Sequence, residues 1–460
     1  MNLFNRKNLF EPQLPLAWEA GLKVVGHERQ STWQINVPAS KSITNRAIVL
    51  AALAGHSLEM VAPLLADDTW WGFLALEKLG FRLDVSQLPQ RLVIEPPRDI
   101  GDTNSKSLFL GQAGTLARFM PSVLLNWNVL FPQSSIQEFI LDCDPQLQRR
   151  PLTPLVQALR SLGGRVEGDA LPFLIRPSEL HGQCEIDGSV SGQFLSGLLF
   201  ATAGARREFE ILRVNQLVQP DYVRITMSML EAFGAEIDAD RELQSFVIKP
   251  RKLKGPKSYV VEADASTACY FAALACVLGI DLKIENLGSS TLQPDFQFMA
   301  ILQRFGFAVE WDSTTCSVFG QKKHSFSGSD QIIELDLSAC SDQAISAGVM
   351  SLCTGIGVRV TGVAHIRHHE SDRITSFCSN CRNLGVEVKE YSDGFMVPRL
   401  VDVEHLCGEW RTHGDHRFAL AGIILAAKCP GISVLNVDCI KKTAPGFIQQ
   451  LKNLGIVFSS

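Results

Sequence analysis

Seven short polar segments of this chain carry hydroxyl or cationic side chains just before an apolar, helix-like stretch begins. The first, Ser40–Arg46 (SKSITNR), precedes the apolar run Ala47–Ala54. The backbone N–H groups of a helix start, together with lysine and arginine, form a favourable site for an anion. The repetition predicts a ligand with at least two anionic groups. The other six segments are Gly111–Arg118, Arg149–Pro151, Ser189–Gln193, His369–Arg373, Gly414–Arg417 and Lys441–Thr443.

Simpler interpretations apply to single residues. A lone lysine or arginine is more often a solvated surface charge than a ligand, and it is the repetition of the pattern that argues against this interpretation. His365 and His369 have a spacing that one helix face could use for a metal, but no set of cysteines or carboxylates completes such a site. The chain also has no nucleotide-binding fingerprint or P-loop. These observations favour a site without a bound metal or nucleotide.

The composition excludes several classes of protein. A chain of 460 residues predicts two or three domains, and 46% hydrophobic residues provide an ample core. The formal net charge of −5 argues against a nucleic-acid partner. No apolar run has membrane-spanning length, and residues 1–25 lack the apolar centre of a signal peptide. With 12 irregularly spaced cysteines, the sequence predicts a protein of the reducing cytoplasm.

The elements that must position the polar segments are repeated six times. Each copy is a helix-like stretch that ends at a glycine and is followed by an alternating, strand-like stretch, as in Leu76–Leu83 (LEKLGFRL). Glycine most readily adopts the left-handed conformation that ends a helix. The spacing of these glycines predicts one compact α/β unit of several strands and two helices per copy. The six are Gly80, Gly163, Gly234, Gly306, Gly385 and Gly455.

The positions of the repeats predict two domains. Three copies precede about residue 260 and three follow it. Gln34–Val37 and Tyr259–Glu262 are predicted strands, and we interpret them as two crossings between the domains. The N-terminal strand then belongs with the C-terminal half. The predicted domains are residues 38–261, and residues 1–37 together with 262–460.

Seven motifs in order along the chain, from about Asn36 to the C-terminus, resemble those of the 5-enolpyruvylshikimate-3-phosphate synthase (3-phosphoshikimate 1-carboxyvinyltransferase) family. The resemblance implies the fold class α/β (α+β), as a two-domain, inside-out α/β barrel with three repeats per domain and the active site in the cleft between the domains. The motifs are SKSxxNR at Ser40–Arg46, AGTxxR at Ala113–Arg118, Arg150-Pro151, SxQF at Ser191–Phe194, ESDR at Glu370–Arg373, DHR at Asp415–Arg417 and Lys442-Thr443.

The resemblance also implies a reaction. Phosphoenolpyruvate would give its carboxyvinyl group to the 5-hydroxyl of shikimate 3-phosphate, and inorganic phosphate would leave. This is a step of the shikimate pathway of aromatic amino acid biosynthesis, on the way to chorismate. The reaction implies no metal and no organic cofactor. The partners would be these two anionic small molecules, without nucleic acid or membrane, and the protein would be a cytoplasmic monomer.

Carried over motif by motif, the resemblance implies the site residues. Asp342 would hold and deprotonate the attacking hydroxyl, while Glu370 and Lys41 would move the methylene and leaving-group protons. Phosphoenolpyruvate would be bound by Lys41, Gly114, Arg150, Gln193, Arg373, Arg417 and Lys442. Shikimate 3-phosphate would be bound by Ser42, Arg46, Ser191, Gln193, Tyr222, Asp342 and His369.

Three positions depart from the family pattern, all on the acceptor side. His369 stands where a lysine is usual, and Gly192 and Gln219 stand where the phosphate cradle usually has serines. Each lost neutral hydrogen bond weakens binding by about 0.5–1.5 kcal/mol. The sequence therefore predicts weaker binding of shikimate 3-phosphate, which Gly192→Ser combined with Gln219→Ser should tighten.

Two alternatives stay open from the sequence. One is a paralogous carboxyvinyltransferase that acts on a different alcohol. The relative that uses a UDP-amino sugar fits less well, because its cysteine-bearing loop has no match between Gly114 and Arg150. The other is a non-catalytic anion-binding protein, against which the presence of Lys41, Asp342 and Glu370 argues.

Overall fold

The computed structural model describes residues 21–27, 31–98, 103–203, 206–322 and 332–459. This part of the chain folds into two compact units. The first unit contains residues 39–261, and the second contains residues 21–38 and 262–459. Residues 1–20 of the predicted N-terminal segment lie outside the described residues. Among the helices that are described, each is too short or too polar to traverse a bilayer.

In the second, third and fifth repeats the chain runs through a strand, a helix, a second strand, a second helix and a hairpin of two further strands, with two additional short helices in the second repeat. In these repeats the first two strands are parallel neighbours, and the last strand of the hairpin lies antiparallel beside the second. The first, fourth and sixth repeats are completed by a strand from elsewhere in the chain. Two strands precede the first unit in the chain, β1 (Lys23–His27) and β2 (Thr32–Ile35).

The first unit contains twelve strands and eight helices. The strands are β3 (Leu58–Val61), β4 (Arg82–Asp84), β5 (Arg91–Glu95), β6 (Ser105–Phe109), β7 (Glu138–Asp142), β8 (Arg165–Glu167), β9 (Phe173–Arg176), β10 (Gly182–Asp187), β11 (Phe209–Val214), β12 (Glu236–Ala239), β13 (Ser245–Lys249) and β14 (Ser258–Val260). The helices are α1 (Lys41–Ala54), α2 (Asp67–Leu79), α3 (Gly114–Leu125), α4 (Trp127–Leu130), α5 (Pro145–Gln148), α6 (Thr153–Ser161), α7 (Gly192–Ala203) and α8 (Pro220–Ala232).

The second unit repeats this plan, with β1 and β2 as two of its strands. Its other strands are β15 (Asp281–Ile284), β16 (Phe307–Trp311), β17 (Cys316–Lys322), β18 (Ile332–Asp336), β19 (Gly357–Thr361), β20 (Lys389–Tyr391), β21 (Gly394–Val397), β22 (Cys407–Arg411), β23 (Gly431–Leu435) and β24 (Ile456–Ser459). Its helices are α9 (Ala265–Leu278), α10 (Phe298–Arg304), α11 (Ala344–Thr354), α12 (Arg373–Asn383), α13 (His416–Lys428) and α14 (Phe447–Asn453).

The first helix of each repeat is apolar on nearly all sides, and such a helix is stable only when it is buried. In the first unit α3 packs against both α1 and α7, and in the second α9, α11 and α13 contact one another. Gly197 of α7 permits the close approach to α3, because a Cβ there would lie 2.6 Å from the carbonyl oxygen of Arg118. The sheets bury one face against the helices and expose the other. With helices inside and open sheets outside, the inside-out α/β fold predicted from the sequence is confirmed.

The six repeat-ending glycines also behave as predicted. Each follows the second helix of its repeat, and their φ angles lie between 78° and 103°. A side chain at these positions would be strained, whereas glycine accepts the conformation freely. The next strand then begins one to four residues after each glycine.

N-terminal strands complete two sheets of the second unit. The strand β2 lies parallel to β15, and β1 lies antiparallel to β24, while Leu22 bridges to Val434. In the first unit β14 lies parallel to β3 in the same manner. The strand predicted at Gln34–Val37 ends two residues earlier, because Val37 exchanges two 2.9 Å hydrogen bonds with the side-chain amide of Asn286 instead of a strand neighbour.

Candidate active site

A connected network of charged side chains lies at the helix starts of the second unit. Its members come from a 3₁₀ turn at Ser341–Gln343 before α11, the starts of α12 and α13, and a 3₁₀ turn at Val437–Lys442. The carboxylates of Asp372 and Asp415 cap α12 and α13 by accepting from backbone N–H groups of Thr375 and Arg417. These caps fix where Arg373 and Arg417, the first and second residues of their helices, leave the backbone.

Arg373 is the centre of the network. Its Nη1 donates to Asp342 Oδ1 at 2.8 Å, its Nη2 to Glu370 Oε2 at 2.9 Å and its Nε to Asp415 Oδ2 at 2.8 Å. The side chain is 2% exposed. Burial alone would lower the pKa of this guanidinium, but the carboxylates of Asp415, Glu370 and Asp342 raise it above its ordinary value. Arg373 is therefore a permanent, fixed cation.

Asp342 lies between two guanidinium groups. Its second oxygen, Oδ2, accepts from Arg417 Nη2 at 2.7 Å. Burial opposes the charge on this carboxyl, but Arg417 and Arg373 outweigh burial and hold the pKa of Asp342 far below its usual range. Arg417 also donates to the Tyr270 hydroxyl and to Ser266 Oγ, both at 3.3 Å. Asp342 is therefore an ionised acceptor and, in this state, a weak base.

Glu370 is also held by two cations. Its Oε1 accepts from Lys442 Nζ at 3.0 Å, and its Oε2 is the oxygen bonded to Arg373. The side chains of Glu370 and Lys442 are 11% and 8% exposed. The network therefore joins five residues that the sequence assigned to the site, namely Asp342, Glu370, Arg373, Arg417 and Lys442.

His369 lies beside the same network. Its Nδ1 is 3.1 Å from Arg373 Nη1 and 4.0 Å from Asp342 Oδ1. A neutral imidazole nitrogen can accept from the guanidinium. The neighbouring ring of His365 lies edge-on at 5.7 Å, and its Nε2 is 2.8 Å from Ser341 Oγ. Burial lowers the pKa of His365 to about 4, so that this ring is uncharged near neutrality.

In the first unit, Lys41 forms an ion pair at the start of α1. Its Nζ lies 3.4 Å from Oδ2 of Asp68, in the first turn of α2. Lys41 is 14% exposed at its side chain and Asp68 is 2% exposed. The structure makes Asp68 the ionic partner of a predicted catalytic lysine.

Gly114 is the meeting point of two arginines at the start of α3. A Cβ at this position would lie 2.6 Å from Nη1 of Arg150 and 3.1 Å from Nη1 of Arg118. Arg118 Nη1 also donates to the Gly114 carbonyl at 2.7 Å. Two guanidinium groups therefore approach a helix N-terminus, a favourable arrangement for an anion. The sequence placed Arg118 in a motif but gave it no role.

Arg46 is placed inside the first unit. Its Nε donates to Thr226 Oγ1 at 2.8 Å, its Nη1 to the Ser42 carbonyl at 3.0 Å and its Nη2 to the Tyr222 carbonyl at 2.9 Å. It is 2% exposed, and burial lowers its pKa to about 10. Arg46 thus ties together the backbone of two other predicted acceptor ligands, Ser42 on α1 and Tyr222 on α8.

The start of α7 carries the predicted ligands Ser191 and Gln193. Ser191 Oγ accepts from the Gln193 backbone N–H at 3.3 Å. Between them, a Cβ at Gly192 would lie 2.7 Å from the carbonyl oxygen of Val218. This close contact argues against the Gly192→Ser half of the predicted double substitution, because the new side chain would meet backbone. Gln219, at φ 52°, precedes α8 and does not have this restriction.

The site also contains residues whose role the sequence did not give. Asp415 anchors Arg373 through its side chain and accepts from the Arg417 backbone N–H at 2.9 Å. Ser266 and Tyr270, both on α9, contact Arg417. The one available signal was the capping position of Asp415 before an apolar helix. The pairing itself joins residues far apart in the chain.

Comparisons with known proteins identify the family of the chain. Residues 27–451 match the family described as EPSP synthase (3-phosphoshikimate 1-carboxyvinyltransferase). The chain is 32% identical to 3-phosphoshikimate 1-carboxyvinyltransferase 2 of Halalkalibacterium halodurans, with 98% of each chain covered. It is 32% identical to the 3-phosphoshikimate 1-carboxyvinyltransferase of Histophilus somni, with 92% of this chain and 96% of the other covered.

A solved structure gives the same result for the fold. The EPSP synthase of Acinetobacter baumannii superimposes with a TM-score of 0.74 at 20% identity, covering 95% of this chain and 99% of the other. The fold, the ordered motifs and the full-length matches agree. The chain therefore belongs to the EPSP synthase (3-phosphoshikimate 1-carboxyvinyltransferase) family.

Proposed function

We propose that this chain is an active 3-phosphoshikimate 1-carboxyvinyltransferase. It transfers the carboxyvinyl group of phosphoenolpyruvate to the 5-hydroxyl of shikimate 3-phosphate and releases inorganic phosphate. The observation that carries the proposal is the pairing of Arg373, Arg417 and Lys442 with Asp342 and Glu370. A protein that only bound anions would gain nothing from buried carboxylates that compete for its cations.

Phosphoenolpyruvate carries a phosphate and a carboxylate, so its binding site needs several fixed hydrogen-bond donors. Planar guanidinium groups suit both anions because they can donate two parallel bonds. In the second unit these donors are Arg373, Arg417 and Lys442. In the first unit they are Lys41, Arg150, the Gln193 side chain and the helix start at Gly114.

Each catalytic residue takes part in the proton transfers of the reaction. Asp342 accepts the proton of the attacking 5-hydroxyl while the hydroxyl oxygen bonds to C2 of phosphoenolpyruvate. Glu370 gives a proton to C3. In the second half Glu370 takes a proton back from the C3 methyl group, and the electrons of that C–H bond form the C2=C3 double bond. The C2–O bond to phosphate breaks with both electrons going to phosphate, and Lys41 protonates the leaving oxygen.

Donor binding prepares these carboxylates for their task. Within this network the pKa of Asp342 is held too low for an effective base, because Arg417 and Arg373 stabilise its charge. A donor anion that shares these guanidinium groups weakens that stabilisation and raises the basicity of Asp342. The same exchange releases Glu370 from Arg373 and Lys442, so that it can hold the proton it must deliver.

The acceptor is held by Ser42, Arg46, Ser191, Tyr222 and His369, with Gln193 shared between the substrates. Arg46 supports this set through the backbone of Ser42 and Tyr222. Gly192 retains its backbone N–H as a donor although it has no hydroxyl. We therefore propose shikimate 3-phosphate as the acceptor, with weaker binding than a cradle with both serines would give.

The compartment, oligomeric state and partners of the protein are part of the same proposal. We propose that it works as a cytoplasmic monomer whose partners are its two anionic substrates, without nucleic acid, membrane, metal or organic cofactor. All 12 cysteines are free thiols, which fits a reducing compartment. Burial raises the pKa of the Cys378 thiol to about 12, which fits a structural rather than a redox role for Cys378 and its neighbour Cys381.

A phosphate-release assay tests the proposal. Phosphoenolpyruvate is supplied with shikimate 3-phosphate, with shikimate or with UDP-N-acetylglucosamine, and without added metal. Release is expected with shikimate 3-phosphate alone. Release with an unphosphorylated alcohol instead would favour the paralogue, and no release with any acceptor would contradict an enzymatic role. Loss of activity with a chelator, restored by zinc, would contradict a reaction that needs no metal.

A further inference from the structure

Asp295 is a buried carboxylate that none of the roles above uses. It lies in the 3₁₀ turn Pro294–Gln297 of the second unit and is 0% exposed. Its Oδ1 accepts from Ser266 Oγ at 2.8 Å and from Gln343 Nε2 at 2.7 Å. Two donors from separate segments therefore meet at one oxygen atom.

The Ser266 contact leads to Arg417. A serine hydroxyl has a single proton, and this proton points to Asp295, so a lone pair of the same oxygen faces Arg417 Nη2 at 3.3 Å. Burial opposes the charge of Arg417, and Asp295 is one of the groups, after Asp342 and Tyr270, that raise the pKa of this guanidinium. Asp295 thus orients Arg417 through Ser266 and stabilises its charge.

The Gln343 contact leads to Asp342. Gln343 follows Asp342 in the same 3₁₀ turn, and its side chain is held at both ends. Its Nε2 donates to Asp295, and its Oε1 accepts from Ser346 Oγ at 3.0 Å. A buried side chain fixed in this way determines the path of the turn and hence the position of the preceding carboxylate.

The two contacts form a closed ring. From Asp295 it passes through Ser266 to Arg417, across the 2.7 Å bond to Asp342, and through the backbone to Gln343 and back. A buried ionisable group is costly to fold with, and apolar packing would hold the turn at lower cost. The ring contains one proposed donor-binding cation and the proposed base, which gives a reason for a polar residue at this position.

We propose that Asp295 is a positioning residue that fixes the positions of Arg417 and Asp342 relative to each other. The inference rests on the proposed function for its kinetic readout and on the ring for its geometry. Loss of the Ser266 contact should weaken donor binding, because it releases Arg417. Loss of the Gln343 contact should slow turnover, because it releases Asp342.

Four variants of the full-length protein test this role. Asp295→Ala removes both contacts, whereas Asp295→Asn retains Oδ1, the atom to which both donors are bonded. Ser266→Ala breaks the Arg417 contact without changing any charge. Ser351→Ala is the matched control, because Ser351 is a buried serine of the second unit whose Oγ donates to the Ile356 carbonyl.

We expect Asp295→Ala to lower kcat/KM for phosphoenolpyruvate about 30-fold or more, since small misplacements of catalytic groups have large effects. Asp295→Asn should restore kcat/KM to within about threefold of the wild type. Ser266→Ala should raise KM several-fold and leave kcat nearly unchanged, and Ser351→Ala should change neither. Normal kinetics in both Asp295→Ala and Ser266→Ala would overturn the inference. A failure of Asp295→Asn to restore activity in a folded protein would also overturn the shared-oxygen account.

Binding measurements separate this inference from the proposed function. If Asp295→Ala does not fold, Ser266→Ala decides the question through its KM. If the wild type releases no phosphate with shikimate 3-phosphate, the proposed function fails, and calorimetric titration with phosphoenolpyruvate replaces the kinetics. Weaker binding by Ser266→Ala than by Ser351→Ala would still support positioning of Arg417, and equal binding would overturn it.

Discussion

The two units hold their cations in different ways. In the first unit, Arg46 and Arg118 donate to carbonyl and hydroxyl oxygens, and the Lys41–Asp68 pair adds one carboxylate. In the second unit, Arg373, Arg417 and Lys442 are balanced by the carboxylates of Asp342, Glu370 and Asp415.

This difference predicts two kinds of interaction with an anionic substrate. The first unit attracts the anion, whereas in the second unit the anion exchanges with the carboxylate partners of the cations. In the first unit Lys41 pairs with Asp68, while Arg46 and Arg118 are held by carbonyl and hydroxyl oxygens, so we expect these cations to attract an incoming anion. The cations of the second unit can bind the anion only as their carboxylate partners give way. The first unit should therefore contribute mainly to substrate binding, whereas the second should contribute both to binding and to proton transfer.

The largest expected effect comes from removing a carboxylate of the second unit that pairs with the anion-binding cations. Glu370→Gln and Asp342→Ala should each lower kcat about 100-fold or more, because each removes a group that we propose carries a proton in the reaction. Steady-state kinetics with both substrates provide the measurement. Glu404→Gln is the control, since Glu404 pairs with Lys428 at 2.9 Å in the same unit but outside the network. Normal turnover in Glu370→Gln would remove this residue from the mechanism.

A smaller effect is expected from crowding the arginines of the first unit. Gly114→Ala places a methyl group 2.6 Å from Arg150 Nη1, and the guanidinium must move away. KM for phosphoenolpyruvate should rise about tenfold, with kcat within about threefold of the wild type, because binding is weakened more than chemistry. Gly26→Ala is the control, since a Cβ at Gly26 meets no atom within 4 Å. A fall in kcat with KM unchanged would contradict the division of labour between the units.

The smallest effect concerns the acceptor. Gln219→Ser restores a hydroxyl without the backbone clash that Gly192→Ser would create. One added hydrogen bond, at about 0.5–1.5 kcal/mol, should lower KM for shikimate 3-phosphate about two- to tenfold. The exposed Gln216→Ser is the control. An unchanged KM would mean that Gln219 already supplies the contact.

Features with a local cause could be predicted from the sequence. The six glycines identified the helix ends and the repeats, because a left-handed residue at a helix end is a local requirement. The apolar first helices indicated burial, and the polar segments before them indicated the site.

Features that depend on distant partners could not be predicted. Asp342 meets Arg417 across 75 residues, and Glu370 meets Lys442 across 72. No spacing rule connects such positions, so the neutralised state of the second unit was invisible in the motifs. The contact of Gly192 with the Val218 carbonyl was hidden for the same reason. The sequence showed a lost hydroxyl, whereas the structure shows a place with no room for one.

The most direct test of the exchange is to count the protons that accompany donor binding. Phosphoenolpyruvate is titrated calorimetrically into the wild type and into Glu370→Gln at pH 7, in phosphate-free buffers that differ in ionisation enthalpy. Proton changes on the ligand itself are common to both proteins. The account predicts that the wild type takes up more protons than Glu370→Gln, by up to about one, because the anion displaces Glu370 from its cations. Equal proton uptake by the two proteins would contradict it.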